Sequence, residues 1–345
     1  MTVPERILIV RLGALGDVVH GVPVAATLRA AWPGARIDWL VDPRYVPLLD
    51  LVECVDVKVP VDPRDLLRRG RRAAVLRTLR TLWRTRYDVA IDLQGLVKSA
   101  VLARLSGARS VIGFPGDQLR EPLARVCYSV TPQPGAAPHV VHQNLALLRA
   151  LGLREQQPRF PFKIPETAAA NAVRRRAGLE GYVLINPGAA WPNKRWPPDR
   201  FGAVASAVHA QTGLRSVVLW GPGEESLAEA VVAASSGAAE LAPPTTVADI
   251  VALAHTARVM LSGDTGPLHI AGAVGAPLVA LFGPTDAERN GPWDARDGVL
   301  SEHVRCQCRY ARQCTRAVAC IDDITVADVV QAVRTRLERA GFTRG

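Results

Sequence analysis

Short apolar runs recur along the chain, each closed by a glycine- or aspartate-bearing turn that opens into a helical stretch, and this alternation confines it to an α/β architecture. A strand covered on both faces of a parallel sheet needs continuous rather than alternating apolar residues, as in Ile7-Leu-Ile-Val10 and Leu278-Val-Ala-Leu-Phe282. The first pass predicts strands over 6–10, 36–41, 56–59, 89–93 and 110–114. Helices are predicted over 17–31, 73–85, 96–105 and 140–151, with Gly21 and Pro23 expected to kink the first. Residues 154–165 turn polar and carry Pro158, Pro161 and Pro165, the composition of a linker. A second pass follows, with strands over 183–186, 216–220, 258–261 and 278–282 and helices over 199–212, 224–235, 247–255 and 266–274. A last helix covers 326–339. With 345 residues, the expected organisation is two Rossmann-like domains facing a cleft, 1–160 and 166–325, with 326–345 packing back toward the first.

No apolar run reaches the ~18 residues a membrane span needs. The longest, 270–282, is interrupted by Gly272, Gly275 and Pro277. The apolar residues 7–10 end at Arg11, too short for a signal-peptide core, so a cytoplasmic protein is expected. The formal charge of +10 rests almost wholly on arginine, since only Lys58, Lys98, Lys163 and Lys194 are lysines. Codon bias would spread arginines evenly, yet nine fall between Arg64 and Arg86, which points to an anionic partner. Aromatic residues make up 5% and do not interleave with the basic run, so nucleic acid is not the expected partner.

Three turns carry the chemistry. The first strand runs into Leu12-Gly-Ala-Leu-Gly-Asp17, where glycines admit a ligand and Asp17 opens a helix, as a cap or as a functional carboxylate. It lacks the third glycine of a dinucleotide fingerprint, which counts against an oxidoreductase using Asp42 to hold a ribose. In the second half, Asp264, Thr265, Gly266, Pro267, Leu268 and His269 sit where a strand feeds a helix N-terminus, a place suited to phosphate. The loop over 186–196 presents Lys194, whose ammonium would neutralise a leaving phosphate, and Glu224 or Glu225 follows a buried strand, placed for a ribose hydroxyl.

Taken in order, Arg11–His20 (RLGALGDVVH), Ile91–Ala100 (IDLQGLVKSA), the stretch 187–201 with Lys194-Arg-Trp196, Asp264–His269 and Phe282-Gly-Pro-Thr-Asp286 resemble the heptosyltransferases of glycosyltransferase family 9. IDLQGLVKSA and Arg120-Glu-Pro-Leu-Ala124 look most like heptosyltransferase I. That resemblance implies a GT-B fold and an inverting, metal-independent transfer of heptose from ADP-heptose to the Kdo-lipid A inner core of lipopolysaccharide, without a cofactor. It implies Asp17 as the base and Lys194 as the partner of the departing diphosphate. Asp264 is expected to grip the donor heptose. Acceptor contacts are expected from Gly16, Arg64, Arg68, Gln94, Lys98, Arg120 and His139. Other acceptors within the family, such as the second core heptose, another glycan or a protein, stay open. The chain contains no Asp-x-Asp pair, so the usual metal clamp on a nucleotide sugar is missing from the sequence.

Two features stand outside that scheme. The helix over 73–85 carries Leu76, Leu79 and Trp83 on one stripe and Arg77, Arg80 and Arg84 beside it. It is expected either to rest on the anionic cytoplasmic face of the inner membrane or to turn a solvated basic side outward. Cys54 and Cys127 read as core residues, whereas Cys306, Cys308, Cys314 and Cys320 lie within fifteen residues of one another. A structural metal, free thiols and disulfides all remain open for that group.

Overall fold

The computed structural model describes residues 3–66, 72–133, 137–154, 157–178 and 181–342. The chain divides into two units, Met1–Lys163 and Ile164–Gly345. The first contains β1 (Arg6–Val10), α1 (Leu15–Ala31), β2 (Arg36–Val41), α2 (Val46–Leu49), β3 (Val57–Pro60), α3 (Arg72–Thr85), β4 (Val89–Asp92), α4 (Val97–Leu105), β5 (Ser110–Ile112) and α5 (Val140–Ala146). Its strands pair in parallel in the order β3-β2-β1-β4-β5. The second unit opens with α6 (Ala168–Ala177), β6 (Tyr182–Asn186), α7 (Pro198–Thr212), β7 (Arg215–Val218), α8 (Glu225–Ala234) and β8 (Ala239–Leu241). It continues with α9 (Val247–Thr256), β9 (Val259–Gly263), α10 (Gly266–Ala273), β10 (Leu278–Phe282), α11 (Ala287–Asn290), β11 (Gly298–Ser301) and α12 (Val326–Arg339). Here too every pairing is parallel, in the order β11-β10-β9-β6-β7-β8.

Each sheet is buried on both faces, which is why its central strands are apolar throughout. In the second unit Val183, Ile185, Leu261 and Leu281 meet α7, α8 and α12 on one face, and Leu184, Met260, Leu278 and Ala280 meet α6, α9 and α10 on the other. In the first, Leu8, Val10 and Ala90 pack under Val75, Leu82, Ala100 and Leu102. The strand order reverses between β1 and β4 in one sheet and between β6 and β9 in the other. At such a point the loops leaving the two strands diverge and open a crevice at their carboxyl ends. The turns bearing Asp17, Lys194 and Asp264 leave strands at these reversals, and the Glu224 loop leaves the neighbouring β7.

Several expectations are revised. Helix α1 runs on through Gly21 and Pro23 and starts at Leu15 rather than Asp17, because Val18, Val19, Val22 and Val24 are fully buried and their burial outweighs one lost backbone bond. Gly21 is needed for contact: a Cβ there would lie 2.8 Å from the Trp39 ring. The helix expected over 140–151 tightens into a 3-10 turn at Leu147–Leu151. Helix α6 and strands β8 and β11 were not expected, since β8 has three residues and β11 is a half-exposed edge without a continuous apolar signal. The closing helix was expected to pack toward the N-terminal half. Instead its apolar stripe, Val329, Val333 and Leu337, belongs to the core of the C-terminal unit.

That helix is also tied by charge. Arg336 Nε lies 2.6 Å from Asp297 Oδ1, with both side chains buried. Burial pushes the Asp297 carboxyl up, and the Arg336 bond acts against that. Arg336→Ala would strand a buried carboxylate and is expected to lower unfolding free energy by about 3–5 kcal/mol. Urea unfolding followed by circular dichroism measures it, and an unchanged midpoint would refute the assignment.

Candidate active site

In the C-terminal unit the reversal between β6 and β9 brings together residues far apart in sequence. Lys194 Nζ donates to Asp264 Oδ2 at 2.5 Å. Thr285 Oγ1 donates to the same oxygen at 2.7 Å, and His269 Nε2 lies 3.2 Å from Oδ1. Burial alone would raise the Asp264 carboxyl, but the His269 bond and the Lys194 charge outweigh it and hold the group well below the usual carboxylate range. Because that folded-state value lies below the unfolded one, Asp264 adds stability at neutral pH that is lost only as pH falls through the carboxylate range. The Lys194 ammonium also stands 4.6 Å from the Trp191 ring centroid. The result is a cation fixed at the carboxyl end of the sheet.

Helix α10 begins beside this pair, with Thr265 at its N-cap and Pro267 in its first turn. Asn186 Nδ2 donates to Thr265 Oγ1 and to Ser262 Oγ, each at 3.0 Å, so the last residue of β6 pins the helix start. Gly266 and the Leu268 amide supply backbone donors at the positive end of the helix. The Leu268 side chain is in the core, so only its backbone is available, and His269 is buried against Asp264 rather than presented to a ligand. Glu224 folds over the adjoining loop: a Cβ on Gly188 would stand 2.2 Å from its Oε2. Glu225 is the exposed first residue of α8. Of the two candidates, the fold draws Glu224 to the Asn186–Gly188 turn.

The N-terminal unit builds a second arrangement at its own reversal. Asp17 accepts the Ala14 N–H at 3.0 Å, as a helix cap does, and also pairs with Arg11 Nη2 at 2.6 Å while part of its side chain stays exposed. Arg11 is buried and bonds the Leu93 carbonyl, so it links the loop after β1 to the loop after β4. Gln94 Oε1 accepts the Leu12 N–H at 2.9 Å and strengthens the same link. Gly13 has φ +154°, and a Cβ there would lie 2.4 Å from the Tyr45 ring. Asp92, wholly buried, accepts from Ser99, Tyr128 and the Gln94 N–H, and burial pushes its carboxyl up. It anchors the loop that carries Gln94 and leads to Lys98, which is exposed in the first turn of α4.

The other expected acceptor residues are spread around this loop cluster. Gly16 lies in the first turn of α1. Arg120 is exposed beside Glu121, which accepts the Val97 N–H at the start of α4. His139 caps α5 and has its ring 5.9 Å from that of His20 on α1. Arg64 pairs with Asp62 at 2.8 Å and lies 3.8 Å from Asp42. Arg68 falls outside the described residues. Asp42 itself is bound by the Arg44 side chain and backbone, which removes it as a ribose ligand. Reading the residues missed Thr285, Asn186 and Arg11 as site components. Their signal was positional, since each ends or follows a buried strand at or next to a reversal.

The model of glycosyltransferase family 9 (heptosyltransferase) matches residues 75–319. The chain belongs to that family. It is therefore a glycosyltransferase. Among curated relatives, lipopolysaccharide heptosyltransferase 1 of Pseudomonas aeruginosa is 27% identical over 90% of this chain and 87% of its own length. The Escherichia coli K12 protein of the same name is 28% identical over 81% of this chain and 88% of its own. Among solved structures, E. coli heptosyltransferase WaaC with ADP superposes with TM-score 0.78 at 24% identity, covering 96% of this chain and 99% of that one. E. coli ADP-heptose lipopolysaccharide heptosyltransferase II gives 0.76 at 21%, covering 98% and 100%. The two parallel-sheet units are thus the Rossmann-like pair of a GT-B fold, and the resemblance to heptosyltransferase I read from residues 91–100 and 120–124 agrees with the relatives' names.

Gly188→Ala gives a direct check on Glu224. The added methyl displaces the carboxylate but leaves the Lys194–Asp264 pair untouched. On the expectation that Glu224 holds the ribose of ADP, titration calorimetry with ADP should show about ten- to hundredfold weaker binding, the loss of one charged hydrogen bond. Unchanged affinity in a folded variant would remove Glu224 from the nucleotide site.

Proposed function

We propose that this glycosyltransferase moves a heptose from ADP-heptose to the Kdo-lipid A inner core of lipopolysaccharide, with inversion at the anomeric carbon. The observation that carries the donor half is the Lys194–Asp264 pair beside the α10 N-terminus. A diphosphate leaving group needs positive charge, and Lys194 with the first amides of α10 supplies it, so the mechanism calls for no metal ion. Asp264, with His269 and Thr285 around it, holds the ammonium in place, and the oxygen capacity it has left faces the donor heptose. Glu224 takes the ribose. Relatives named lipopolysaccharide heptosyltransferase 1, and a WaaC structure holding ADP-2-deoxy-2-fluoro heptose, support this choice of donor and acceptor class.

The acceptor hydroxyl attacks the anomeric carbon as the bond to the diphosphate oxygen breaks, ADP leaves, and the hydroxyl proton passes to Asp17. Arg11 and the Ala14 N–H hold the Asp17 carboxylate in place while part of its side chain stays exposed. Arg11 then orients Asp17, and Gln94, Lys98, Arg120 and His139 meet the carboxylate and phosphates of the acceptor. Asp17→Asn is expected to lower turnover by roughly 10²–10⁴ with ADP affinity unchanged. Lys194→Ala should lower it by about 10²–10³ and also weaken ADP binding. ADP release is followed with ADP-heptose or UDP-glucose as donor, with and without Kdo-modified lipid A. Release from ADP-heptose only when that lipid is present supports the reading, and near-normal turnover of Asp17→Asn refutes the base assignment.

The acceptor is a lipid, and helix α3 is built to meet its surface. Val75, Leu79 and Leu82 turn inward, whereas Leu76 and Trp83 are 60% and 65% exposed among the equally outward Arg77, Arg80 and Arg84. This corrects the stripe read from sequence, since Leu79 faces the core and leaves the outer face to one leucine, one tryptophan and three arginines. Such a face suits the anionic cytoplasmic leaflet of the inner membrane. Among the described residues no helix is long and apolar enough to cross a membrane. Flotation with vesicles is expected to recover more protein when anionic lipid is included, and Leu76→Ser with Trp83→Ser should lose the difference. Equal recovery on neutral and anionic vesicles would defeat the membrane assignment.

A further inference from the structure

Lys194 and Asp264 are in contact at 2.5 Å, and an ammonium against a carboxylate sums to zero. The pair can donate a hydrogen bond to a departing diphosphate, but it brings no net charge, and the first amides of α10 bring only partial charge. Arg195, beside Lys194 in the chain, is turned to the Ala189 carbonyl at 2.7 Å. A leaving group carrying several negative charges therefore calls for a further cation.

The segment 302–319, with neither helix nor strand, contains Arg305, Arg309, Arg312 and Arg316. Three of them are committed. Arg305 lies 3.7 Å from Glu302, Arg309 donates to the His303 and Val304 carbonyls, and Arg316 binds both carboxylate oxygens of Asp323. Arg312 is exposed, and among the described residues it meets no carboxylate and no carbonyl. Its contact is the Trp191 ring, whose centroid lies 5.8 Å from the guanidinium carbon. The Lys194 ammonium stands over the same ring at 4.6 Å. One indole thus gathers two cations that would otherwise repel each other.

The backbone leading into Arg312 is fixed. The Ala311 carbonyl accepts from Asn193 Nδ2 at 2.9 Å, and the Tyr310 N–H donates to the Pro284 carbonyl at 3.0 Å. Asn193 precedes Lys194 and Pro284 precedes Thr285, so the segment is tied to both loops that serve the same Asp264 oxygen. From inside it is filled by Cys306, Cys308, Cys314 and Cys320, packed together as free thiols. Among the described residues no group of three or more His, Cys, Asp or Glu side chains is placed to hold a metal ion.

We infer that Arg312 is a donor-binding residue whose guanidinium meets the diphosphate of the nucleotide sugar beside Lys194. It supplies the charge that Lys194, already paired with Asp264, leaves uncompensated. A guanidinium suits this place, because its planar fork takes two phosphate oxygens at once and its face stacks on an aromatic ring. The inference rests on the proposed donor site and adds to it the group that reads the phosphates rather than the nucleoside or the sugar.

Titration calorimetry of the full-length protein with ADP and with AMP tests this, since the two ligands share a nucleoside and differ by one phosphate. Arg312→Ala is expected to weaken ADP binding about tenfold, the effect of one charged hydrogen bond, and to leave AMP binding nearly unchanged. Arg312→Lys should restore part of the ADP affinity, because it keeps the charge without the fork. Arg305→Ala removes the same charge from the same segment and should bind ADP as the unaltered protein does. Undiminished ADP affinity in Arg312→Ala overturns the inference. So does an equal loss in Arg305→Ala, or a loss for AMP as large as for ADP. If Arg312→Ala does not fold, Arg312→Gln, which keeps a long side chain against Trp191, is read in the same way. Failure of the unaltered protein to bind ADP would refute the donor reading itself, a result distinct from normal binding that is indifferent to position 312.

Discussion

An ionised carboxylate removed from water must be compensated by partners or it will not stay ionised. Asp264 is that group here, and the C-terminal site is arranged around it. Lys194 and Thr285, from the loops after β6 and β10, serve one oxygen, and His269, in the first turn of α10 after β9, serves the other. Each loop is held by the requirement to satisfy the same buried charge. Loss of any partner would loosen the others, which is how one ionised group can hold a cation in a fixed place.

The N-terminal unit solves a similar problem with the roles reversed. There the buried charge is a guanidinium, Arg11, and its partners are the Leu93 carbonyl and the partly exposed Asp17. The fully buried Asp92 steadies the adjoining loop through Ser99 and Tyr128. Both units therefore place a charged side chain at a reversal of strand order and fix it from the neighbouring strand's loop. Parallel sheets favour this, because all strand ends on one edge deliver loops to the same side.

Arginine serves several purposes in this chain. Arg336 is a buried tie, Arg11 orients a carboxylate, and Arg77, Arg80 and Arg84 coat an outward helix face. Net charge alone could not separate these uses. Burial does: Arg336 is buried against a buried carboxylate and is structural, whereas Arg77, Arg80 and Arg84 lie exposed on the outer face of α3.

The α/β class, the two passes and most helices were legible because they depend on continuous apolar runs and a 3.6-residue helical period, which are local properties of the chain. The turns bearing Asp17, Lys194 and Asp264 were legible too, since a glycine or polar turn after a buried strand marks a strand end. Short edge strands such as β8 and β11 escaped, because an edge lacks the two-sided burial that writes a continuous apolar run. So did the inward face of α3, where only packing against β-strands showed that Leu79 turns in and Leu76 turns out. Which of Glu224 and Glu225 reaches the Asn186–Gly188 turn also required coordinates, as they are chain neighbours with identical side chains. Lys194 meets Asp264 across 70 residues and Arg11 meets Leu93 across 82. The residues by themselves determined which elements form and where their reactive turns fall. Only the tertiary structure decided which charges meet, because strand order, not chain order, sets which loops become neighbours.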